Sequence, residues 1–335
     1  MQISPLQIDP SIQIDAGLAE AIEKRQRLLG FLLAELADYV FSFRSSLPEL
    51  AVISKADDSP VTEIDFLVQA AMTEVIVSKF PLDQILGEES IDDDMQMVLE
   101  TKHAQLFHQL KALAVYFAED HQYKMQWIID PIDGTKGFII NQVYAIGAAI
   151  TYGNMAVASG IAACNLALVF ENVRAMPVVA MASLQAVLPR FFYTDGLEIC
   201  PNDNICENMV LLSRTEMSKF PVQDYADLPF KMIGIDSMAK YVAVALGWVA
   251  GYARAPVSGN IMIWDHLPGI FLIACTGGES LDFAERPILC YLETASTVLQ
   301  EGLLVSTQKG WASQFISIMA QSRLTKKETT EKTKQ

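Results

Sequence analysis

WIIDPIDGTKGF, residues 127–138, sets two aspartates three positions apart around a proline, directly after an apolar run and directly before Gly-Thr. MQWIID (125–130) reads as a strand and PIDGTKGF (131–138) as its exit turn. From Gly137 to Phe170 no charged residue follows. A hydropathy window flags such a stretch as a membrane span. TYGNM (151–155) interrupts it with a turn signal, however, and both arms are rich in Ala, Ile, Val and Gly. That pattern predicts a buried β-hairpin.

Working outward, residues 13–43 have apolar positions at helical spacing, with EKRQR on the wet side. SKADDSP (54–60) reads as a polar loop, and VTEIDFLVQAAMTEVIVSKF (61–80) as a second helix capped by Thr62, with Asp65 in its first turns. QILGEES (84–90) is a short strand entering a loop, followed by a polar helical insertion. Residues 171–235 show little periodicity and hold a domain boundary near 185–200. DSMAKYVAVALGWVAGY (236–252) reads as a helix, and IWDHLPGIFLIACTGG (263–278) as an apolar helix with an acid at its start. The expected organisation is an N-terminal α+β domain over 1–190, a C-terminal α/β domain over 191–323, and a disordered polar tail over 324–335.

A chain of 335 residues is long enough for two domains or one large layered one. Its net charge of −16 lacks the basic footprint that a nucleic-acid polymer requires, and it suits an anionic membrane surface poorly. An acidic protein still binds phosphate where metal ions carry the local positive charge. Cys164, Cys200, Cys206, Cys275 and Cys290 form no CxxC, and they read as reduced, mostly buried thiols of a cytoplasmic protein. MQISPLQIDPSIQID has neither the basic nor the apolar region of a secretory signal. No GxSxG, P-loop or Rossmann glycine triplet occurs, and the histidines lack zinc spacing.

The acids form an ordered set: Glu88-Glu89, then Asp130 and Asp133, then Asp265. Hard cations such as Mg²⁺ take oxygen ligands. Asp-Pro-Ile-Asp offers two carboxylates with the Ile132 carbonyl between them. Gly134-Thr135 lets a phosphate approach backbone N–H groups. With metals in place, water attacks phosphorus in line, and Thr135 Oγ, held by an acid such as Asp65, takes its proton. Read singly, the residues have blander roles: Asp265 an N-cap, Lys240 and Arg254 solvated helix-end charges, His103 and His108 wet.

GEES (87–90), DPIDGT (130–135) and WDHLPG (264–269), in that order, resemble the inositol monophosphatase superfamily of lithium-sensitive, Mg²⁺-dependent phosphatases. SKADDSPVTEID (54–65), DPIDGTKGF (130–138), GIAACNLAL (160–168), IDSMAKYVAVALG (235–247), IWDHLPG (263–269) and SLDFAERPI (280–288) are similar to its 3′(2′),5′-bisphosphate nucleotidase branch. The resemblance spans about residues 15–320. It implies a layered αβαβα sandwich. It implies two or three Mg²⁺ ions on the carboxylates of Glu88, Asp130, Asp133 and Asp265 and the carbonyl of Ile132. Asp65 and Thr135 would activate the water, and Gly134 and Thr135 would hold the scissile phosphate. Ser237, Lys240 and Arg254 would contact the nucleotide. The implied reaction turns adenosine 3′,5′-bisphosphate into AMP and phosphate, in a monomer or homodimer whose partner is a small phosphorylated metabolite.

The neutral IINQ after GTKGF, the absence of a histidine in LLSRTE (211–216), and the uncharged run between Arg254 and Asp265 depart from the branch. They leave open an inositol- or sugar-phosphate phosphatase, or a catalytically weak nucleotide-binding or interaction protein.

Overall fold

A computed structural model of the chain describes residues 14–46, 52–55, 60–171, 173–186, 188–201, 208–219, 228–256, 261–288, 296–297 and 302–320. Its first half runs α1 (Ala16–Ser46), β1 (Val52–Ser54), β2 (Pro60–Thr62), α2 (Glu63–Lys79), β3 (Gln84–Gly87), α3 (Asp93–Lys102), α4 (Ala104–Ala114), β4 (Gln126–Asp133) and α5 (Thr135–Ile139). Then come β5 (Tyr144–Tyr152), β6 (Met155–Cys164), β7 (Val178–Ser183), β8 (Arg190–Tyr193), β9 (Met209–Leu212), α6 (Arg214–Lys219), β10 (Lys231–Gly234) and α7 (Ala239–Ala245). The last elements are β11 (Gly251–Arg254), β12 (Ile261–Met262), α8 (Leu267–Cys275), β13 (Glu279–Leu281), β14 (Ser296–Thr297) and β15 (Leu303–Ser306), and residues 311–320 are helical as well. The tail 324–335 lies outside the described residues.

Strands β3 to β8 form a six-stranded sheet in sequence order, parallel at β3–β4 and antiparallel elsewhere. A second sheet runs β10-β9-β11-β15-β13. Strand alternation fixes what covers each face. Trp127 and Ile129 of β4 join Leu29, Leu33, Leu67 and Val68 of α1 and α2, whereas Ile128 between them joins Val242 of α7 and Phe271 of α8. In the second sheet Leu211 and Tyr252 face that same α7–α8 layer, while Val210 and Ala253 face Trp311 and Phe315. The result is the αβαβα sandwich that the resemblance implied.

The uncharged stretch is the hairpin β5–β6, turning at residues 153–154 and buried on both faces. Its small residues admit helices from both sides. A Cβ on Gly147 would stand 2.1 Å from Met238 Sδ. Among the described residues no helix is long and apolar enough to cross a membrane.

Several polar residues lie elsewhere than periodicity predicts. Arg25, expected on the wet side of α1, is 0% exposed. Its guanidinium donates to Asp83 (2.7 and 2.8 Å), Asp120 (2.7 Å) and the carbonyls of Ala21 and Tyr123 (3.1 and 3.0 Å). A buried charge survives only with such pairing. His103, expected to be wet, is buried between Tyr39 (2.9 Å) and Glu63 (2.8 Å), and it divides the expected single insertion helix into α3 and α4. His108 is exposed as expected. Cys164 is buried, but Cys200 is exposed. The helix expected over 236–252 is reduced to α7, because residues 235–238 serve the site and the chain enters β11 at Gly251.

Candidate metal and phosphate site

In a regular strand, residues three apart point to opposite faces. Strand β4 does not end at Asp130 but continues to Asp133 through a bulge. Asp130 pairs with Gly147 and Asp133 with Ala145, so three steps on β4 match two on β5. Pro131, which has no N–H for the ladder, lies within the irregularity. The extra residue restores the parity of the two aspartates. Asp265 comes in from the turn between β12 and α8, and carboxylate oxygens of Asp130, Asp133 and Asp265 lie within 4.8 Å of one another. Asp265 is not the N-cap of α8; that position is His266, which makes no side-chain capping bond. Glu88 enters along the parallel β3, where its N–H donates to Ile129 O (3.0 Å), placing it beside Asp130.

Burial and mutual crowding raise the pKa of the three aspartates. Burial first, then Asp133, Glu88 and Asp265, pushes Asp130 well above the usual carboxylate range. Burial lifts Asp133 to about 6 against the pull of Lys240 and the Met238 N–H, which donates to Asp133 Oδ2. Burial with Asp133 and Glu88 lifts Asp265 to about 8. Asp130 Oδ1 is buried without a hydrogen-bond partner among the described residues. An all-oxygen donor set with excess negative charge and an orphaned carboxylate oxygen fits a hard divalent cation.

Thr62 and Asp65 form a reciprocal capping box at the start of α2: Thr62 N–H and Oγ1 donate to Asp65 Oδ2 (2.9 and 2.6 Å). This leaves Asp65 Oδ1 for Thr135, whose Oγ1 lies 3.1 Å away and 3.0 Å from Ile132 O. Burial holds Asp65 up at about 6, against the hydrogen bonds from Thr62 and Thr135. Gly134 adopts φ 86°, and a Cβ there would stand 2.5 Å from Asp236 O. Both the left-handed backbone and the close approach therefore require glycine. The following helix α5 is a single turn.

A cavity of about 280 Å³ opens beside the acids, lined by Asp133, Asp265, Ser237, Lys240, Arg254 and Glu216 among others. Lys240 is buried, not solvated. It donates to the carbonyls of Ile235 (2.8 Å) and Ser237 (2.7 Å) and lies over the Tyr252 ring (4.9 Å). Burial lowers it to about 8. Arg254 is half-buried, and its Nε has no hydrogen-bond partner among the described residues. Ser237 Oγ accepts from Ala239 N–H (3.3 Å). His266 is neutral because burial, then Arg254 and Lys240, holds it well below its usual value; its Nδ1 lies 2.7 Å from Tyr241 Oη.

Asp130, Ile132, Asp133, Gly134, Thr135, Asp65 and Asp265 thus come together, with Glu88 at the edge, and Ser237, Lys240 and Arg254 line the adjoining cavity. Sequence reasoning gave no role to Glu216, which accepts from Ser213 N–H (3.1 Å) and Ala255 N–H (3.0 Å) and lines the cavity. The Ser213-x-x-Glu216 spacing was its readable signal. It also gave none to Lys55, although SKADDSP was read. Nor did it find that Arg214 reaches Gln142 (3.0 Å), so a cation does stand against the neutral IINQ.

Residues 24–324 match the inositol monophosphatase family. The chain belongs to that family. It is similar to the 3′(2′),5′-bisphosphate nucleotidase of Schizosaccharomyces pombe, 26% identical over 70% of this chain and 77% of the relative. It is also similar to the 3′,5′-bisphosphate nucleotidase 2 of Arabidopsis thaliana, 25% identical over 79% of this chain and 87% of the relative. Among solved structures, a Thermotoga maritima inositol monophosphatase matches at TM-score 0.57 and 16% identity, covering 90% of this chain and 98% of the other. An inositol monophosphatase/NADP phosphatase complexed with Mg²⁺ and phosphate matches at TM-score 0.54 and 15% identity, covering 84% and 91%. These family members share the layered fold of this chain.

Proposed function

We propose that the chain is a Mg²⁺-dependent phosphomonoesterase that hydrolyses the 3′-phosphate of adenosine 3′,5′-bisphosphate to AMP and phosphate. The observation that carries the chemistry is the Thr135–Asp65 hydrogen bond (3.1 Å) standing next to the Asp130–Asp133–Asp265 cluster. Asp130, Asp133, Asp265, Glu88 and the Ile132 carbonyl would hold two or three Mg²⁺ ions. Such ions, when bound, supply Lewis acidity to the phosphate and acidify a water. Thr135 Oγ1 receives the proton of the attacking water while its own passes to Asp65 Oδ1. With Asp65 held at about 6, that oxygen is a ready acceptor at neutral pH. Gly134 and Thr135 N–H groups hold the scissile phosphate. Ser237, Lys240 and Arg254 meet the remainder of the nucleotide.

The relatives support this substrate: bisphosphate nucleotidases of fission yeast, Candida, Arabidopsis and rice match this chain at 25–26% identity. A second reading, an inositol- or sugar-phosphate phosphatase, draws on Glu216. Its buried carboxylate lies in the same cavity as Arg254 and offsets a charge that a second phosphate needs.

The test is phosphate release from adenosine 3′,5′-bisphosphate, inositol 1-phosphate and fructose 1,6-bisphosphate with Mg²⁺, with and without lithium. Preference for the adenosine compound with lithium inhibition is expected. Preference for inositol phosphate selects the second reading, and no turnover of any of the three sinks both.

A further inference from the structure

Glu88 differs from the other acids of the site in one respect: a cation already holds it. Lys55 Nζ lies 2.8 Å from Glu88 Oε1 and also pairs with Glu89 Oε1. The lysine and Glu88 side chains are about one-quarter exposed, and that of Glu89 is 5% exposed. Asp130, Asp133 and Asp265 have no salt bridge to lysine or arginine among the described residues, and they form the three-carboxylate group from which Glu88 is missing. The acids therefore divide into a cluster without an ion pair and an ion-paired end. Lys55 reaches that end from residues 52–55, next to β2, which leads directly into the α2 capping box and Asp65.

We propose that Lys55 is a built-in counter-cation of the Glu88–Glu89 end, which a divalent ion must displace before Glu88 becomes a ligand. The proposal rests on the cation-binding reading above and adds an order of filling. Ions at the three-aspartate cluster meet no ion-paired lysine or arginine and bind first. An ion at Glu88 competes with an ammonium tethered within bonding distance, so its affinity is lower by the strength of that pair.

The test is calorimetric titration of the full chain, stripped of metal, with Mn²⁺, using wild type, Lys55→Met and Lys55→Arg. Two classes of site are expected in wild type. Lys55→Met leaves the tighter class within about twofold and strengthens the weaker about five- to tenfold, the worth of one partly buried ion pair. Lys55→Arg, which keeps the charge, stays near wild type. Independently of whether the variants fold, lysine acylation of the wild type read by mass spectrometry should show Lys55 protected without Mn²⁺ and modified at saturation. Unchanged weak-site affinity in folded Lys55→Met, or Lys55 acylation that ignores Mn²⁺, overturns the proposal. Absence of any Mn²⁺ binding by wild type instead overturns the cation reading on which it rests.

Discussion

Thr135 has one hydroxyl proton and two oxygens in reach, Asp65 Oδ1 at 3.1 Å and Ile132 O at 3.0 Å. Its choice between them decides whether it serves the water or the carbonyl. Thr135→Ser keeps the hydroxyl and should retain activity within about tenfold, while Thr135→Ala should lose 10²–10⁴-fold in kcat, the usual worth of a proton relay. Both should melt near wild type, because Thr135 is half-buried at the surface of one helical turn. Asp133→Asn should abolish phosphate release while the circular dichroism spectrum is kept, since an amide oxygen can still accept the Met238 N–H. Near wild-type turnover by that variant would remove Asp133 from the ligand set. Much of this site was legible in the sequence because its parts are local. Thr62 and Asp65 are three residues apart, and DPIDGT is contiguous. Lys55 and the burial of Lys240 were not, since each depends on a segment brought in by the fold, and the local Ser213-x-x-Glu216 spacing gave a cap but not its place in the cavity.

At the scale of the element, the buried Arg25 ties α1 to the edge of the first sheet. Its acids lie 58 and 95 residues along the chain, which is why helical periodicity alone placed Arg25 in solvent. Asp83 also accepts the Trp127 indole N–H (2.8 Å) and Met125 N–H (2.9 Å), so one carboxylate joins α1, β3 and β4. Arg25→Met should cost about 3–5 kcal/mol in urea unfolding, because it strands two buried acids. Arg25→Met with Asp83→Asn should recover part of that loss. A cost below 1 kcal/mol for the single variant would show the pair to be dispensable. The helices and the hairpin β5–β6 were readable from pattern. The continuation of β4 past Pro131 was not, since proline and aspartate both signal a turn and only pairing with β5 reveals the bulge.

Across the whole molecule, the site is where the two sheets and the layer between them meet, and its charge couples metal to stability. The acids of the site carry raised values in the folded state: Asp65 and Asp133 at about 6, Asp265 at about 8, Asp130 higher than usual. In the folded state these four acids therefore bind more protons than in the unfolded chain between about pH 4 and pH 8, and the stability they contribute is lost as pH rises through that window. A bound cation displaces those protons and reverses the effect. The melting temperature gained on adding Mg²⁺ to chelator-treated protein should be larger at pH 8 than at pH 5. At 100-fold excess over Kd the stabilisation should reach about 2.7 kcal/mol, roughly 4 °C. Asp265→Asn should flatten that pH dependence. A gain independent of pH would mean that the ion binds elsewhere.

The bulge of β4 also sets what kinds of sequence change the site can absorb. Substitutions between Asp130 and Asp133 alter a side chain. A deletion or insertion of one residue there changes the count by which the strand presents its faces, and swings one aspartate into the apolar layer behind the sheet. The spacing of DPID is in this sense a reading frame written in geometry, tolerant of spelling and intolerant of length.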